Sequence, residues 1–150
     1  MARPSEIPAE RYLLLARFEP PPYLPNRMGD AAAPKSRQFQ AAMEHYLKRD
    51  YAGAIPGLRA IAGTRPDFVE ARYYLGICSL LTNDLAAGVK ELQAVIASGE
   101  TPYREEARFY LAKGLLDDGD IGGAQRQLEN VLAMHGDLEK QARALLAQIK

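Results

Sequence analysis

Two stretches of this chain are near copies of each other: Ala-Arg-Tyr-Tyr-Leu-Gly at residues 71–76 and Ala-Arg-Phe-Tyr-Leu-Ala at residues 107–112. The similarity extends along the chain in six columns, in which matching residues are separated by 34 and then by 36 positions. The columns are Ala42, Gly76 and Ala112; Asp50, Asp84 and Asp120; Tyr51, Leu85 and Ile121; Ala54, Gly88 and Ala124; Leu58, Leu92 and Leu128; and Ile61, Val95 and Val131. A repeat of about this period predicts stacked units that each contact only their neighbours.

Each repeat is predicted to consist of two helices. In the middle unit, apolar residues recur at helical spacing from Asp67 to about Leu81. The second helices of the three units are predicted over residues 50–62, 84–97 and 120–134. One further amphipathic helix, over residues 137–149, is expected to cover the apolar face that a stack of helix pairs leaves open.

The turns between paired helices have a recurring chemistry. The pairs Asn83-Asp84 and Gly119-Asp120 combine a residue that tolerates the left-handed conformation with an N-capping residue for the next helix. Arg49 takes the corresponding place in the first unit, where its side chain predicts some backbone strain. Pro56 lies in the opening turns of its helix, so we predict a slight bend or a late start there.

Prolines divide the chain into an arm and a domain, because seven of the ten lie within the first 34 residues. Proline lacks an amide donor and fixes φ, so residues 19–34 are predicted to be extended, while residues 9–18 before them favour a short helix. We therefore expect an N-terminal arm (residues 1–34) and a repeat domain (residues 35–150). The domain is divided into repeats at about 35–66, 67–102 and 103–136 and a cap at 137–150. Ordered packing of the arm and disorder both remain open.

Composition excludes several classes of function. The 150 residues include 19 lysines and arginines against 19 aspartates and glutamates, and the pI is near 6.7, which argues against a nucleic-acid partner. One cysteine and two histidines argue against a disulfide scaffold and a zinc site. The apolar run at residues 12–16 is too short to span a membrane, and no signal-peptide pattern is present. We predict a soluble, cytoplasmic chain with no direct membrane insertion.

Catalysis finds little support, because it requires a nucleophile with a base, or converging acids, in one pocket. Cys78 lies at a repeat-packing position and is predicted to be a buried structural thiol. His45 and His135 belong to different units, the first packed on a helix or partly exposed and the second in the loop before the cap helix. The glycines follow no phosphate-loop pattern. We predict no catalytic residues, no metal site and no cofactor.

The repeat columns resemble those of the tetratricopeptide repeat family over about residues 35–150. The family has small residues at its eighth and twentieth positions and often proline at its thirty-second. The matching residues here are Ala42, Gly76 and Ala112; Ala54, Gly88 and Ala124; and Pro66. The chain departs from the pattern at Arg72 and Arg108, where a large apolar residue is favoured, at His45, and at Glu100, which replaces the proline. The resemblance implies an all-α fold: an α-α superhelix of three helix pairs with a C-terminal capping helix. More weakly, the proline- and tyrosine-rich lead into the repeats resembles repeat domains of bacterial anti-sigma-factor-like proteins.

The family resemblance also implies a right-handed superhelix whose concave face is lined by the first helix of each pair. Carried over residue by residue, that face would hold Phe39, Met43, Tyr46, Tyr73, Tyr74, Ile77, Leu80, Phe109, Tyr110, Lys113 and Leu116. Such an aromatic groove suits an extended or helical peptide, which predicts a non-catalytic scaffold for a protein or peptide partner. Alternatively, many of these residues are ordinary core contacts between repeats, and Lys113 is expected to be solvated.

The arm is itself a candidate ligand for this groove. Residues 18–25 form an extended, apolar, proline-rich run of the type that aromatic grooves bind. The sequence therefore also suits a second function. The chain would be a self-assembly or structural module whose groove holds the arm of its own chain or of a neighbouring copy. In the latter case the chain would form a homo-oligomer through its arm.

Overall fold

The computed structural model describes residues 9–23 and 34–150, with side chains described from residue 37 onward in the second range. Eight helices and no β-strand lie in these two ranges. They are α1 (Ala9–Ala16), α2 (Pro34–Leu47), α3 (Tyr51–Thr64), α4 (Val69–Leu81), α5 (Leu85–Ala97), α6 (Arg104–Asp117), α7 (Ile121–Met134) and α8 (Glu139–Ile149). The rest of the predicted arm, residues 1–8 and 24–33, lies outside the described residues.

Helices pair in chain order and stack in the same order. The pairs are α2 with α3, α4 with α5 and α6 with α7, while α3 packs on α4, α5 on α6, and α8 on α7. The predicted fold class is confirmed: an α-α superhelix of three helix pairs with a C-terminal capping helix. The arm helix α1 breaks this sequential order, since it packs on α6, about 100 residues further along the chain.

The three second helices begin in the same way. Each follows an aspartate whose carboxylate accepts a hydrogen bond from an amide nitrogen three residues on, which satisfies one of the unpaired donors of the first turn. The nitrogen–oxygen distances are 3.0 Å for Asp50, 3.3 Å for Asp84 and 2.9 Å for Asp120. The preceding residues have the positive φ that the sequence predicts, 62° at Arg49, 66° at Asn83 and 85° at Gly119.

Some helix boundaries differ from the predicted ones. Helix α1 ends at Ala16, two residues before the predicted end, and α4 and α8 each begin two residues after the predicted start. Helix α3 begins at Tyr51, so Pro56 does not delay its start. The reason is that a proline this early in a helix removes only one backbone hydrogen bond, while the Asp50 cap still holds the first turn.

Small residues allow the paired helices to approach closely. A Cβ atom added at Gly76 would lie 2.9 Å from Leu92 Cγ, and one added at Gly88 would lie 2.5 Å from Leu80 Cδ2 and 3.1 Å from the Gly76 carbonyl oxygen. Helices α4 and α5 therefore pack so closely that any side chain at these two positions would require Leu92 or Leu80 to shift. The same columns carry alanine in the first and third units, where Ala54 and Ala124 are fully buried.

The arginines that depart from the family pattern link the two helices of a pair. Arg72 Nη1 donates to Glu91 Oε2 over 3.0 Å, and Arg108 Nη1 donates to Gln127 Oε1 over 3.3 Å. Both pairs join residues 19 positions apart, so the same polar bridge recurs in the second and third units. Arg72 also donates to the Ala62 carbonyl of the preceding unit over 3.3 Å. A polar bridge thus replaces the apolar contact that the family pattern favours.

Candidate functional site

Residues 9–23, which we call the arm segment, lie across the face formed by the first helices α2, α4 and α6, which we call the first-helix groove. Helix α1 packs on α6, and the centroids of the Phe18 and Tyr110 rings lie 5.0 Å apart. At the other end of the arm segment, the centroid of the Tyr23 ring lies 5.7 Å from that of Phe39 on α2 and 5.6 Å from that of Tyr74 on α4. The arm segment therefore runs from the third unit to the first, opposite to the chain order of the repeats.

The groove holds the proline run of the arm through main-chain carbonyl groups. The Tyr74 hydroxyl donates to the Pro22 carbonyl over 3.1 Å, and the Tyr46 hydroxyl donates to the Pro21 carbonyl. Proline has no amide hydrogen, so the carbonyl is its only main-chain hydrogen-bonding group. Burial is the main cause that raises the pKa of Tyr46, which keeps its hydroxyl protonated as a donor.

Lys113 binds the end of the arm helix. Its Nζ atom donates to the Leu15 carbonyl over 2.7 Å and to the Arg17 carbonyl over 3.1 Å, at the point where α1 ends. A cation at this place satisfies unpaired carbonyls and complements the helix dipole. Lys113 also lies 5.7 Å from the centre of the Phe109 ring, and burial lowers its pKa. The expectation that Lys113 is solvated is therefore wrong, because its ammonium group caps a helix from the arm.

The arm also contributes apolar area. Pro21 is buried, and the Tyr23 ring meets Phe39 and Tyr74 edge to face, with interplanar angles of 80° and 85°. Edge-to-face aromatic pairs of this kind add to the free energy gained from burial alone. Ala16 joins the core cluster of the third unit and cap helix, and Tyr23 joins the core cluster of the first two units, so the arm segment is anchored in a core at its middle and at its C-terminal end.

The eleven predicted site residues fall into three groups. Five contact the arm segment directly: Phe39, Tyr46, Tyr74, Tyr110 and Lys113. Four border it through a shared cavity or core cluster: Tyr73, Leu80, Phe109 and Leu116. The remaining two, Met43 and Ile77, are fully buried in the core of the repeats. The alternative interpretation as core contacts describes these last two, and seven of the other nine residues also belong to the buried core clusters.

The candidate catalytic residues do not converge on one pocket. His45 Nδ1 lies 2.9 Å from Asp50 Oδ2, and hydrogen bonds from His45 and the Gly53 amide hold the pKa of Asp50 below its usual range. His135 Nδ1 lies 2.9 Å from Glu139 Oε1 at the other end of the stack. In the part of the chain that is described, no group of three His, Cys, Asp or Glu side chains could hold a metal ion. In that part, too, no helix is long and apolar enough to cross a membrane.

Cys78 is fully buried between the repeats, and burial raises its pKa to about 12. Because only the thiolate is nucleophilic, we expect iodoacetamide at pH 7.5 to alkylate the native chain at least about 1,000-fold more slowly than the urea-unfolded chain. Mass spectrometry of timed samples measures both rates. Equal rates in the two states would show that Cys78 is accessible and would contradict this placement.

This structure is that of an α-helical repeat protein of the superhelical class. Its defining features are the stacked helix pairs, the aspartates that cap each second helix, and the small residues at which paired helices approach closely. Residues 39–105 match the sequence profile described as "Tetratricopeptide repeat". Residues 39–105 are therefore identified as tetratricopeptide repeats. No curated protein matches the chain in sequence.

The solved structures that share this fold include two of the same chaperone. One is the type III secretion chaperone SycD of Yersinia enterocolitica in complex with a peptide of the translocator YopD, with a TM-score of 0.69 and 15% identity over 75% of this chain and 89% of SycD. A second structure of SycD, described as a translocator chaperone, has a TM-score of 0.65 and 13% identity over 81% of this chain and 86% of SycD. These matches show a common fold, and the resemblance to anti-sigma-factor-like proteins stays a prediction.

Proposed function

We propose that this chain is a non-catalytic protein-interaction scaffold whose first-helix groove binds an extended segment of a partner protein. The observation that carries the proposal is the way in which the arm segment is held. Tyr46, Tyr74 and Lys113 bind main-chain carbonyls, which every peptide presents. Aromatic rings beside them supply contact area for apolar and proline side chains.

The similarity to SycD supports the same conclusion. SycD has been solved with a peptide of its translocator bound, and its helices superimpose on 75% of this chain. A shared fold does not carry a shared partner, so the identity of the bound segment is argued from the groove alone. The groove favours a segment with a short helix followed by prolines and a tyrosine, because this is the form of its present occupant.

In this proposal the arm acts as a displaceable occupant. A tethered ligand competes at an effective concentration in the millimolar range, so a partner must bind the groove better than the arm does or act on chains whose arm is released. The arm would thereby protect an aromatic surface until a partner arrives. We therefore expect the affinity of a partner peptide for the intact chain to be lower than its affinity for a chain whose groove is empty.

A synthetic peptide tests the groove directly. We expect a fluorescein-labelled peptide of residues 9–25 to bind a chain that lacks residues 1–25 at least about 100-fold more tightly than it binds the full chain, because the tethered arm no longer competes. Fluorescence anisotropy measures both dissociation constants. The Tyr74→Phe variant of the shortened chain, which removes the donor to Pro22, is expected to bind the peptide about fivefold more weakly.

The control is a peptide of the same length in which aspartate replaces Tyr23, which should not bind. Circular dichroism establishes that the shortened chain remains helical. If the shortened chain is folded and the native peptide shows no saturable binding, the groove does not recognise this segment in trans and the proposal fails.

A second candidate function is self-assembly through exchanged arms. Leu13 and Leu14 on α1 are 48% and 62% exposed, although leucines on a docked helix are usually covered. An arm that docks on a neighbouring copy would make the same contacts and could cover these leucines at the new interface. Light scattering separates the two functions. Arm exchange requires a mass above the 16.5 kDa of one chain that falls when Leu13 and Leu14 are replaced by serine, whereas a constant single-chain mass excludes it.

A further inference from the structure

The arm helix α1 has an exposed side with two leucines at its centre. The residues on this side are Glu10, Leu13, Leu14 and Arg17, all of them exposed, and they are separated by three, one and three positions. Residues three or four apart lie on the same side of a helix. The Arg17 amide donates to the Leu14 carbonyl over 3.3 Å, which extends the last turn of α1 to this residue. We call these four residues the outer face of α1.

The opposite side of α1 is fixed on the repeats. Ala16 is buried, and Tyr12 and Leu15 pack against the core cluster of the third unit and cap helix. The Leu15 carbonyl also accepts the hydrogen bond from Lys113. The contacts that dock α1 therefore do not use its outer face, which is left for a further contact while the arm stays on its own chain.

The charges of the outer face are arranged symmetrically about the leucines. Glu10 lies about one turn before them and Arg17 about one turn after them, so the midpoint of the leucine pair is also the midpoint between the two charges. When two copies of α1 pack antiparallel about a two-fold axis through this point, the Glu10 carboxylate of each faces the Arg17 guanidinium of the other. Leu13 of each copy then faces Leu14 of the other. A two-fold interface requires such self-complementarity, because the same patch serves both partners.

Both charges are available for such a contact. Neither Glu10 nor Arg17 forms an ion pair with another residue in the described part of the chain. Opposite charges at the edge of an apolar contact fix its register and disfavour wrong partners. The pattern of the outer face therefore selects an antiparallel copy of itself, with the leucines at the centre of the contact.

We propose that two copies of this chain associate through the outer faces of α1, with each arm docked on its own repeats. This differs from arm exchange, in which each arm leaves its own groove. Helix α1 has only eight residues, so two such helices bury less than the roughly 1,200 Å² of a stable interface. The dimer is therefore weak and forms at high micromolar concentrations of the chain.

Pairing also affects the groove. The outer face is held in place only while the arm is docked, so a partner that displaces the arm also separates the two copies. This consequence rests on the proposed peptide binding, whereas the pairing itself does not. A chain that lacks residues 1–25 is expected to stay monomeric, because it has no α1.

Sedimentation equilibrium tests the pairing over chain concentrations from about 5 µM to about 500 µM. The average mass of the full chain is expected to rise from 16.5 kDa towards twice that value. Glu10→Arg and Arg17→Glu should each weaken the dimer at least about tenfold. The reason is that a two-fold interface repeats every contact, so one reversal replaces two attractive contacts with two repulsive ones.

An equimolar mixture of the two variants is the decisive sample. Between unlike chains both charge contacts become attractive again, so the mixture is expected to form heterodimers with an affinity within about threefold of the parent. Arg11→Glu is the matched control, because Arg11 is also exposed on α1 but lies about 100° around the helix from Glu10, to the side of the outer face. It changes the net charge as Arg17→Glu does and should leave the dimer affinity within about twofold of the parent.

Four results would overturn the proposal. The first is a single-chain mass at every concentration, and the second is a dimer of the chain that lacks residues 1–25. The third is a dimer that Glu10→Arg and Arg17→Glu weaken no more than Arg11→Glu does, which would assign the association to arm exchange or to another surface. The fourth is a mixture of the two variants that associates no better than either variant alone. None of these results bears on peptide binding, which fluorescence anisotropy measures separately.

Discussion

Replacing Gly88 with leucine is expected to unfold the middle helix pair and, with it, most of the chain. The added Cβ alone would lie 2.5 Å from Leu80 Cδ2, 2.7 Å from Leu80 Cγ and 3.1 Å from the Gly76 carbonyl oxygen. Leu80 could rotate away from a methyl group, but the Gly76 backbone cannot move without displacing α4. Overpacking by single methylene groups already costs about 1–3 kcal/mol, and a leucine side chain adds three carbons beyond Cβ.

The middle helix pair contacts both of the other pairs, so unfolding of the middle pair is expected to destabilise the other two as well. Units in a repeat stack are stabilised by their neighbours, and the free energy of unfolding of a small domain is only about 5–15 kcal/mol. We therefore expect the Gly88→Leu chain to lose most of its ellipticity at 222 nm and to show no cooperative thermal transition. Gly88→Ala should give an intermediate result, with a folded chain and a lowered melting temperature.

Gly63→Ala is the matched control. Gly63 also lies within a helix, but a Cβ added there would have no atom within 4 Å. Alanine is a better helix former than glycine by about 0.5–1 kcal/mol, so this variant should melt at or above the temperature of the parent. If Gly88→Leu melts within 2 °C of the parent while Gly63→Ala behaves as expected, the close approach of α4 and α5 is wrong.

The repeat fold was predictable because its rules are local and recur. A glycine or alanine at the same place in each unit indicates close helix packing, and an aspartate after a left-handed residue indicates the start of a helix. These signals depend on residues a few positions apart, so they can be read without knowledge of the tertiary structure. Asp84 and Gly88 illustrate both, since the structure uses the first as a cap and the second as a contact point.

The contacts of the arm were less accessible to sequence analysis. Composition indicates an extended proline run. Lys113, however, binds carbonyl groups at the end of α1 that lie 96 and 98 residues earlier in the chain, and no local sequence pattern predicts a contact over that separation. The Arg72–Glu91 bridge was missed for another reason: a pattern that favours an apolar residue treats arginine as a mismatch. Its recurrence as Arg108–Gln127, at the same separation of 19 residues, is the signal that could have identified it.

Replacing Tyr23 with aspartate is expected to release the arm from the groove of the intact chain. Tyr23 is only 6% exposed, and its ring lies between Phe39 and Tyr74. A carboxylate in this place would lose its hydration and face aromatic rings, which costs several kcal/mol. Because every 1.4 kcal/mol changes an equilibrium tenfold, the population of released arms should rise at least about 100-fold.

Trypsin reports the released state at Arg17. The side chain of Arg17 is exposed, but its carbonyl, which belongs to the bond that trypsin cleaves, accepts a hydrogen bond from Lys113 in the docked arm. Proteolysis of such a site follows the population of the open form when opening is fast relative to cleavage. We expect Tyr23→Asp to accelerate cleavage after Arg17 at least about 100-fold, as followed by mass spectrometry of the released fragment.

Leu14→Asp provides the matched control within the same segment. Leu14 is 62% exposed on α1, so a charge there remains hydrated and should leave the arm docked and the cleavage rate within about twofold of the parent. Equal acceleration by both variants would mean that any added charge loosens the arm, and no acceleration by Tyr23→Asp would mean that the Tyr23 pocket does not hold it. The two substitutions change the net charge of the arm equally. A large acceleration of cleavage by Tyr23→Asp with none by Leu14→Asp therefore requires the buried, edge-to-face contact of Tyr23 that the structure describes.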